Sequence, residues 1–346
     1  MTIVPRPSAV RTQRPGALPA SLLGPHHLVH RPDTPEAFLL QSTPPVQQQF
    51  AFSAELPGDH PLFCDGTAAF HDLLFAVESL RQTAVFAARR CFRIPESRHM
   101  VLTSGTTDIT DIEPWRRTPG SAQIALDLRI TPANVVNGIP HNLVCRAAVD
   151  IGGERCGTAD ARIAFPTPLV HRHHWNKGRP ESAHHSAAAH HGAPSAHHSP
   201  APERIGRRSS RNVLIGVPAE SAPGTQSDGL TFPVDLLAAR RVLPDAADAF
   251  TSALFLEVSR QAALFTATEL HGFKPAHAVF SHWQASFRGF TEPGLPLYCT
   301  VRPAGGAAPA GLRRDEQQRP VADFQLAYTQ GGRLVSESSV SVLQDC

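Results

Sequence analysis

The chain has no long apolar run. None of its 346 residues belong to a stretch approaching the ~20 apolar residues of a membrane span. The segment from Met1 to Leu23 carries arginines and prolines but no apolar h-region, so it does not read as a secretory signal. Charge of one sign is also missing. The formal net charge is +2, which gives no reason to expect a nucleic-acid partner. The six cysteines, Cys64, Cys91, Cys145, Cys156, Cys299 and Cys346, have no paired short spacing of the zinc kind. They are expected to be reduced packing residues in a cytoplasmic protein with no metal site. No phosphate-binding glycine loop, dinucleotide fingerprint or Gly-x-Ser-x-Gly elbow occurs.

What the chain does have is an internal repeat. Glu78, Arg81, Gln82 and Phe86 recur as Glu257, Arg260, Gln261 and Phe265, each 179 residues later. Both copies are apolar on nearly all sides: Leu73, Leu74, Phe75, Val77, Leu80, Ala84, Val85 and Phe86 surround the first charged pair. A helix apolar all round is enclosed, not laid on a surface. Asp72 and Thr251 stand at the two N-cap positions.

The repeat continues past the helices. Val101 to Ile109 and Val279 to Phe287 match as extended runs, as do Gln123 to Ile130 and Leu297 to Arg302. Leu143 to Val149 turns through Gly152-Gly153 into Cys156 to Phe165. Ala322 to Tyr328 turns through Gly331-Gly332 into Leu334 to Leu343. Paired glycines supply the positive φ angles of a tight hairpin. A short strand is expected ahead of each helix, Ala37 to Leu40 and Val213 to Val217. Each copy then reads strand, connection, long helix and four strands in antiparallel meander. One enclosed helix wrapped by an antiparallel sheet is the hotdog fold, so the fold class is α+β, a tandem double hotdog. Sheet edges left open by one module are expected to be closed by the other within one chain, as a monomer or a dimer of chains.

The expected boundaries are a mobile tail over 1–23, one repeat over 24–168, a linker over 169–209 and the second repeat over 210–346. The linker is rich in histidine from His171 to His198, spaced by Ala, Ser, Pro and Gly. Such composition does not bury enough apolar area to order itself.

The chemistry is expected where the charges are buried. Arg81 lies three residues after Glu78, on the same helical face, and Arg260 follows Glu257 in the same way. Each pair reads either as a clamp between helix and sheet or as a working site. Gln82 and Gln261 lie one turn after each glutamate. They either orient the carboxylate or bond a backbone group. His60, in Asp59-His60-Pro61-Leu62-Phe63, has no counterpart in the second copy. It is either an acid-base group or a turn-bonding residue. His71 reads as a polar helix-end residue. Helix N-terminal amides are available for an oxyanion.

The helix pattern Glu-x-x-x-Gln resembles the hotdog dehydratases and thioesterases. The fuller set resembles the A-factor biosynthesis (AfsA-type) family, which carries two hotdog repeats. Its carriers are Leu28-Val29-His30-Arg31, Glu36-Ala37-Phe38-Leu39-Leu40, Asp59-His60-Pro61-Leu62-Phe63 and the two helix segments from Glu78 and Glu257. The resemblance implies transfer of a β-ketoacyl group from acyl carrier protein to dihydroxyacetone phosphate, in γ-butyrolactone signal biosynthesis. No resident cofactor is implied, because phosphopantetheine arrives on the carrier protein. The residues implied as catalytic are Glu78, Glu257 and Arg260, with Arg81 as the repeat equivalent and Gln82, Gln261 and His60 in support. Within that reading Glu257 is the expected base and Arg260 the expected phosphate ligand. A thioester dehydratase or hydrolase, and a non-catalytic acyl-binding protein, are the alternatives. The second copy has Thr231-Phe232-Pro233 in place of the His-Pro turn, and no Pro-Gly precedes the first helix.

Overall fold

A computed structural model of the chain describes residues 39–42, 48–56, 60–118, 122–170, 198–218, 229–243, 252–288, 291, 295–305 and 312–345. The expected tail, residues 171–197 of the histidine tract and Thr251 lie outside them.

The first helix, α1, spans Leu73–Arg90. It contains no glycine or proline, and Asp72 caps it by accepting from the Leu74 amide at 3.0 Å. Arg89 and Arg90 fall in its last turn, where the helix dipole favours cations. A short helix α2 spans Leu236–Val242, and the repeat of α1 is α3, Ser252–His271. Gly272, at φ +68°, ends α3 in the left-handed conformation that costs glycine least. Both long helices are buried over most of their length, as an all-round apolar pattern requires.

Among the described residues, twelve strands form one antiparallel sheet. In the first module they are β1 (Leu39–Ser42), β2 (Gln49–Leu56), β3 (Val101–Ile109), β4 (Ala122–Val136), β5 (Ile139–Ile151) and β6 (Glu154–Ala164). In the second they are β7 (Leu230–Pro233), β8 (Ala278–Phe287), β9 (Leu297–Pro303), β10 (Arg313–Arg314), β11 (Pro320–Gln330) and β12 (Arg333–Gln344). The order is β1-β2-β4-β5-β6-β3-β8-β12-β11-β9-β7, with β10 beside β11. Each module is a helix enclosed by a curled sheet, and the molecule is a double hotdog. Among the described residues, no helix is long and apolar enough to cross a membrane.

The modules join through β3 and β8, whose register pairs Ser104 with Ser286, Thr106 with Gln284 and Asp108 with His282. Thr106 and Gln284 are 178 residues apart, the offset that relates Val101 to Val279, so a pseudo-twofold axis passes between them. The four-strand meander is corrected here. Of the four strands after α1, only β4, β5 and β6 run consecutively, and β3 pairs with β6 at the far side. That position leaves the other side of β3 free for β8, so each module covers an open edge of the other. The strand expected at Val213 to Val217 is reduced to one bridge, Ile215 to Val234, and β7 supplies the edge strand instead.

Core packing repeats as well as topology. Phe86 of α1 meets Phe52 of β2 edge-on at 5.8 Å, and Phe265 of α3 meets Phe232 of β7 edge-on at 5.4 Å. Gly152 and Gly153, and Gly331 and Gly332, all have positive φ, as the two hairpin turns demand. The five described cysteines are free, and burial pushes the Cys145 and Cys299 thiols up to about 12, so both are inert packing groups.

The linker boundary at 209 is also corrected. Residues 198–217 are described, and Ile205, Gly206 and Arg207 are buried. They hold short 3-10 turns over Pro202–Ile205 and Ser210–Asn212 that pack into the seam between modules. The composition of 171–197 differs from that of 202–215, which carries Ile205, Val213, Leu214 and Ile215 and so has apolar area to bury.

Candidate functional site

Four ionised side chains meet where the two modules join. Glu257, on α3, has no exposed surface. Arg207 donates to it twice, Nε to Oε1 at 2.9 Å and Nη2 to Oε2 at 2.6 Å. Arg260 donates twice more, Nε to Oε2 at 2.9 Å and Nη2 to Oε1 at 2.8 Å. Gln261 adds its side-chain amide at 2.5 Å. Arg207 Nη2 also reaches Asp72 Oδ2 of the first module at 2.9 Å, and its Nη1 donates to the Leu62 carbonyl at 2.7 Å. The knot thus balances two cations against two anions and satisfies the fork geometry of both arginines.

This geometry removes Glu257 as a base. Burial alone would raise its pKa, but Arg207, then Arg260, outweigh burial and push it down to about 2. Five donors fill its oxygens, which leaves no lone pair for a substrate hydroxyl. Arg207 is the reciprocal case: burial opposes its charge, and Glu257 and Asp72 hold it above its ordinary value. Arg260 is likewise committed. Its Nε and Nη2 face Glu257, and only Nη1, donating to the Ile205 carbonyl at 3.3 Å, remains near the pocket.

In the first module Glu78 and Arg81 form the same two-bond fork, at 2.7 and 2.8 Å, and Gln82 donates to Glu78 at 3.0 Å. This pair keeps surface: the Glu78 and Arg81 side chains are 11% and 20% exposed. Both expected uses of the glutamine occur in Gln261. It donates to Glu257 and to the Asn212 carbonyl, and accepts from the Leu214 amide. His60 is a turn residue: its Nδ1 accepts from the Leu62 and Phe63 amides at 3.2 and 3.1 Å, and its ring stacks on Phe63 at 4.3 Å.

A cavity of about 40 Å³ lies against the knot, lined among others by Asp72, Arg260, Leu264, Phe280, His71 and Arg117. The last two were not expected there. One small clasp sets both: the His71 amide donates to the Trp115 carbonyl at 2.7 Å, and the Arg117 amide donates to Ala69 at 2.8 Å. Trp115, fully buried, anchors it through its indole N–H to the Cys156 carbonyl at 3.1 Å. The His71 ring makes no hydrogen bond among the described residues. Burial, then the charge of Arg117, pushes it below its ordinary value, so it is neutral at pH 7. Helix-end amides are only partly available, since those of Leu74 and Phe75 already bond Asp72.

Sequence reasoning missed Arg207. A signal existed: Val29-His30-Arg31 recurs as Ile205-Gly206-Arg207, 176 residues on, and Phe38-Leu39 recurs as Leu214-Ile215 at the same offset. The offset differs by three from that of the helices, which hides the pairing.

Fold and site together define a double hotdog protein with a charged seam between its modules. Residues 15–167, which include the described part of the first module, are similar to the A-factor biosynthesis hotdog domain. A 2-oxo-3-(phosphooxy)propyl 3-oxoalkanoate synthase of Streptomyces coelicolor is 28% identical over 149 residues, 43% of this chain and 47% of the relative. A synthase of the same name from Streptomyces griseus is 28% identical over 145 residues, 42% of this chain and 48% of the relative. The aligned region thus spans about half the length of these curated relatives. Among solved structures, the pyran synthase domain from module nine of the sorangicin pathway is similar with a TM-score of 0.49, at 11% identity, over 90% of this chain and 100% of that one.

Proposed function

We propose that this chain is an acyltransferase that moves a β-ketoacyl group from acyl carrier protein to a hydroxyl of dihydroxyacetone phosphate, a step toward a γ-butyrolactone signal. One observation carries this reading. Over 43% and 42% of its length the chain is similar to synthases whose named product is the ester of a 3-oxoalkanoate with a 2-oxo-3-(phosphooxy)propyl group. That ester is what such a transfer makes. The donor brings its own phosphopantetheine, so the reaction calls for no resident cofactor. It belongs in the cytoplasm, where acyl carrier protein is.

In the transfer, the acceptor oxygen attacks the thioester carbonyl carbon. The C–O bond forms, the C–S bond breaks, and the hydroxyl proton ends on the departing thiolate. Only a proton acceptor, an oxyanion donor and exclusion of water are required. His71 is the proton acceptor in this reading, because it is neutral, borders the cavity and has no competing hydrogen bond among the described residues. The Leu73 amide, at the first turn of α1, and Arg260 Nη1 serve the oxyanion. Glu257 holds Arg260 and Arg207 in place. Glu78 with Arg81 is the first module's share, since that pair keeps the accessible surface that Glu257 lacks.

The test is a reconstituted assay with the full chain, a β-ketoacyl carrier protein and dihydroxyacetone phosphate, read by mass spectrometry. The phosphorylated ester is expected. Free acid or enoyl product formed without the acceptor would replace this reading with a hydrolase or dehydratase. Binding without turnover would replace it with an acyl-binding protein.

A further inference from the structure

The ionic knot leaves one cation over. Arg207 and Arg260 are matched by Glu257 and Asp72. Arg117, on the other wall of the cavity, makes no ion pair among the described residues. Its Nε donates to the Phe70 carbonyl at 2.8 Å, and its Nη1 leans on the Cys64 and Gly66 carbonyls at 3.4 and 3.3 Å. Its Nη2 has no acceptor there. The guanidinium is therefore fixed by backbone yet keeps an unused edge, which is the preorganisation that anion binding needs. Burial opposes its charge and Asp72, not bonded to it, offsets only part of that, so an anion from outside relieves the remaining cost.

The cavity suits a small oxyanion. At about 10–15 Å³ of such volume per water-sized group, its 40 Å³ admits roughly three oxygens. Arg117, Arg260 and His71 give it a polar wall, and Leu264 and Phe280 give it an apolar one. Thr67, between the lining residues Gly66 and Ala68, has a buried hydroxyl with no partner among the described residues. Asp72 also lines the cavity, but its carboxylate is taken up by Arg207 and the Leu74 amide.

We propose that this cavity is a phosphoryl-binding site with Arg117 as its anchoring cation. The site deepens the acyl-transfer reading and rests on it for the source of the phosphoryl group. That source is either the acceptor's phosphomonoester or the phosphodiester of the carrier's pantetheine arm.

The first measurement needs no turnover. The full chain is titrated with inorganic phosphate by calorimetry or phosphorus NMR. Arg117→Gln is expected to weaken binding by about tenfold or more, the size of a lost charged hydrogen bond. Gly66→Ala guards against a folding artefact. A Cβ at Gly66 meets Arg117 Nη2 at 2.9 Å, so it displaces the guanidinium while leaving the charge in the protein. It is expected to weaken phosphate binding with circular dichroism and melting temperature unchanged. Phosphate affinity unaltered in both variants overturns the site. In the assay, a rise of about tenfold in acceptor KM alone assigns the site to the acceptor. A rise in carrier-protein KM alone supports the site, assigns it to the pantetheine arm, and removes His71, then a full arm's length from the thioester, as the proton acceptor. Phosphate binding through Arg117 in a protein that transfers no acyl group sustains the site and ends the acyl-transfer reading. Transfer with neither KM changed in the two variants does the reverse.

Discussion

Arg207 and Glu257 meet as a two-bond fork with both side chains wholly buried, although they lie 50 residues apart in sequence. The same guanidinium holds Asp72 of the other module. Removing it takes two donors from Glu257 and the direct ion-pair partner from Asp72, both buried. Arg207→Ala is expected to lower unfolding free energy by about 3–5 kcal/mol, the usual cost of breaking a buried pair from one side. Urea denaturation checks this. A loss under about 1 kcal/mol, the range of exposed pairs, would mean that the knot is wet.

Glu257→Gln separates a structural carboxylate from a catalytic one. A base removed from a working site leaves a folded, inactive enzyme. Here the substitution leaves Arg207 and Arg260 facing a neutral group inside the seam. The expected outcome is lower stability with a partial loss of activity, because Glu257 also holds Arg260 in place. An unchanged melting temperature with activity abolished would restore the catalytic assignment.

Acid should loosen the seam in a defined window. The Glu257 carboxyl goes from an ordinary value of 4.5 in the unfolded chain to about 2 when folded. Its folded value is depressed, so its contribution to stability is complete above the unfolded value and is lost as pH falls toward the folded one. Denaturation midpoints are expected to drop between pH 4.5 and about 2 by more in the parent protein than in Glu257→Gln. Parallel profiles would contradict the depressed pKa.

Gly206 is irreplaceable for two reasons. Its φ of +72° lies in the left-handed region, and a Cβ there would stand 3.0 Å from Leu264 Cδ1 and 3.1 Å from Arg260 Nη1. Gly206→Ala is expected to cost about 1–3 kcal/mol and to tilt Arg260 away from the cavity. Thermal melts should show the loss, and Gly152→Ala makes the control, since nothing lies within 4 Å of a Cβ there although its φ is +62°.

His71→Gln should act on rate and not on folding. Loss of a positioned proton acceptor typically costs about 10²–10⁴-fold. The fall is expected in kcat with the backbone clasp to Trp115 intact, because that bond uses the His71 amide. In the parent protein the acid limb of kcat/KM should fall below pH 6.5, the ordinary histidine value, because burial and Arg117 lower it. An acid limb that survives in His71→Gln would move the base elsewhere.

The repeat made much of the fold legible. The Val101 to Ile109 strand was visible to the residue, and both glycine-pair hairpins were visible from the φ angles they require. Strand order was not, because β3 chooses between β4 and β6 according to which edge the other module covers. Local pattern carries no term for that choice. The site divides in the same way. Glu78, Arg81, Glu257 and Arg260 stood out as charges in apolar helices, a property of the sequence itself.

Sequence alone therefore determined two enclosed helices, each with an ion pair at i and i+3, and the turns that let a sheet wrap them. These follow from periodicity, capping and glycine φ, which act over a few residues. Tertiary structure decided what the ion pairs are for. It brought Arg207 onto Glu257, which turned an expected base into a clamp, and it set His71 beside Arg117 through a clasp between residues 69–71 and 115–117. The physical reason is that a carboxylate's basicity depends on burial and on charges within a few ångströms, and those neighbours arrive from distant parts of the chain.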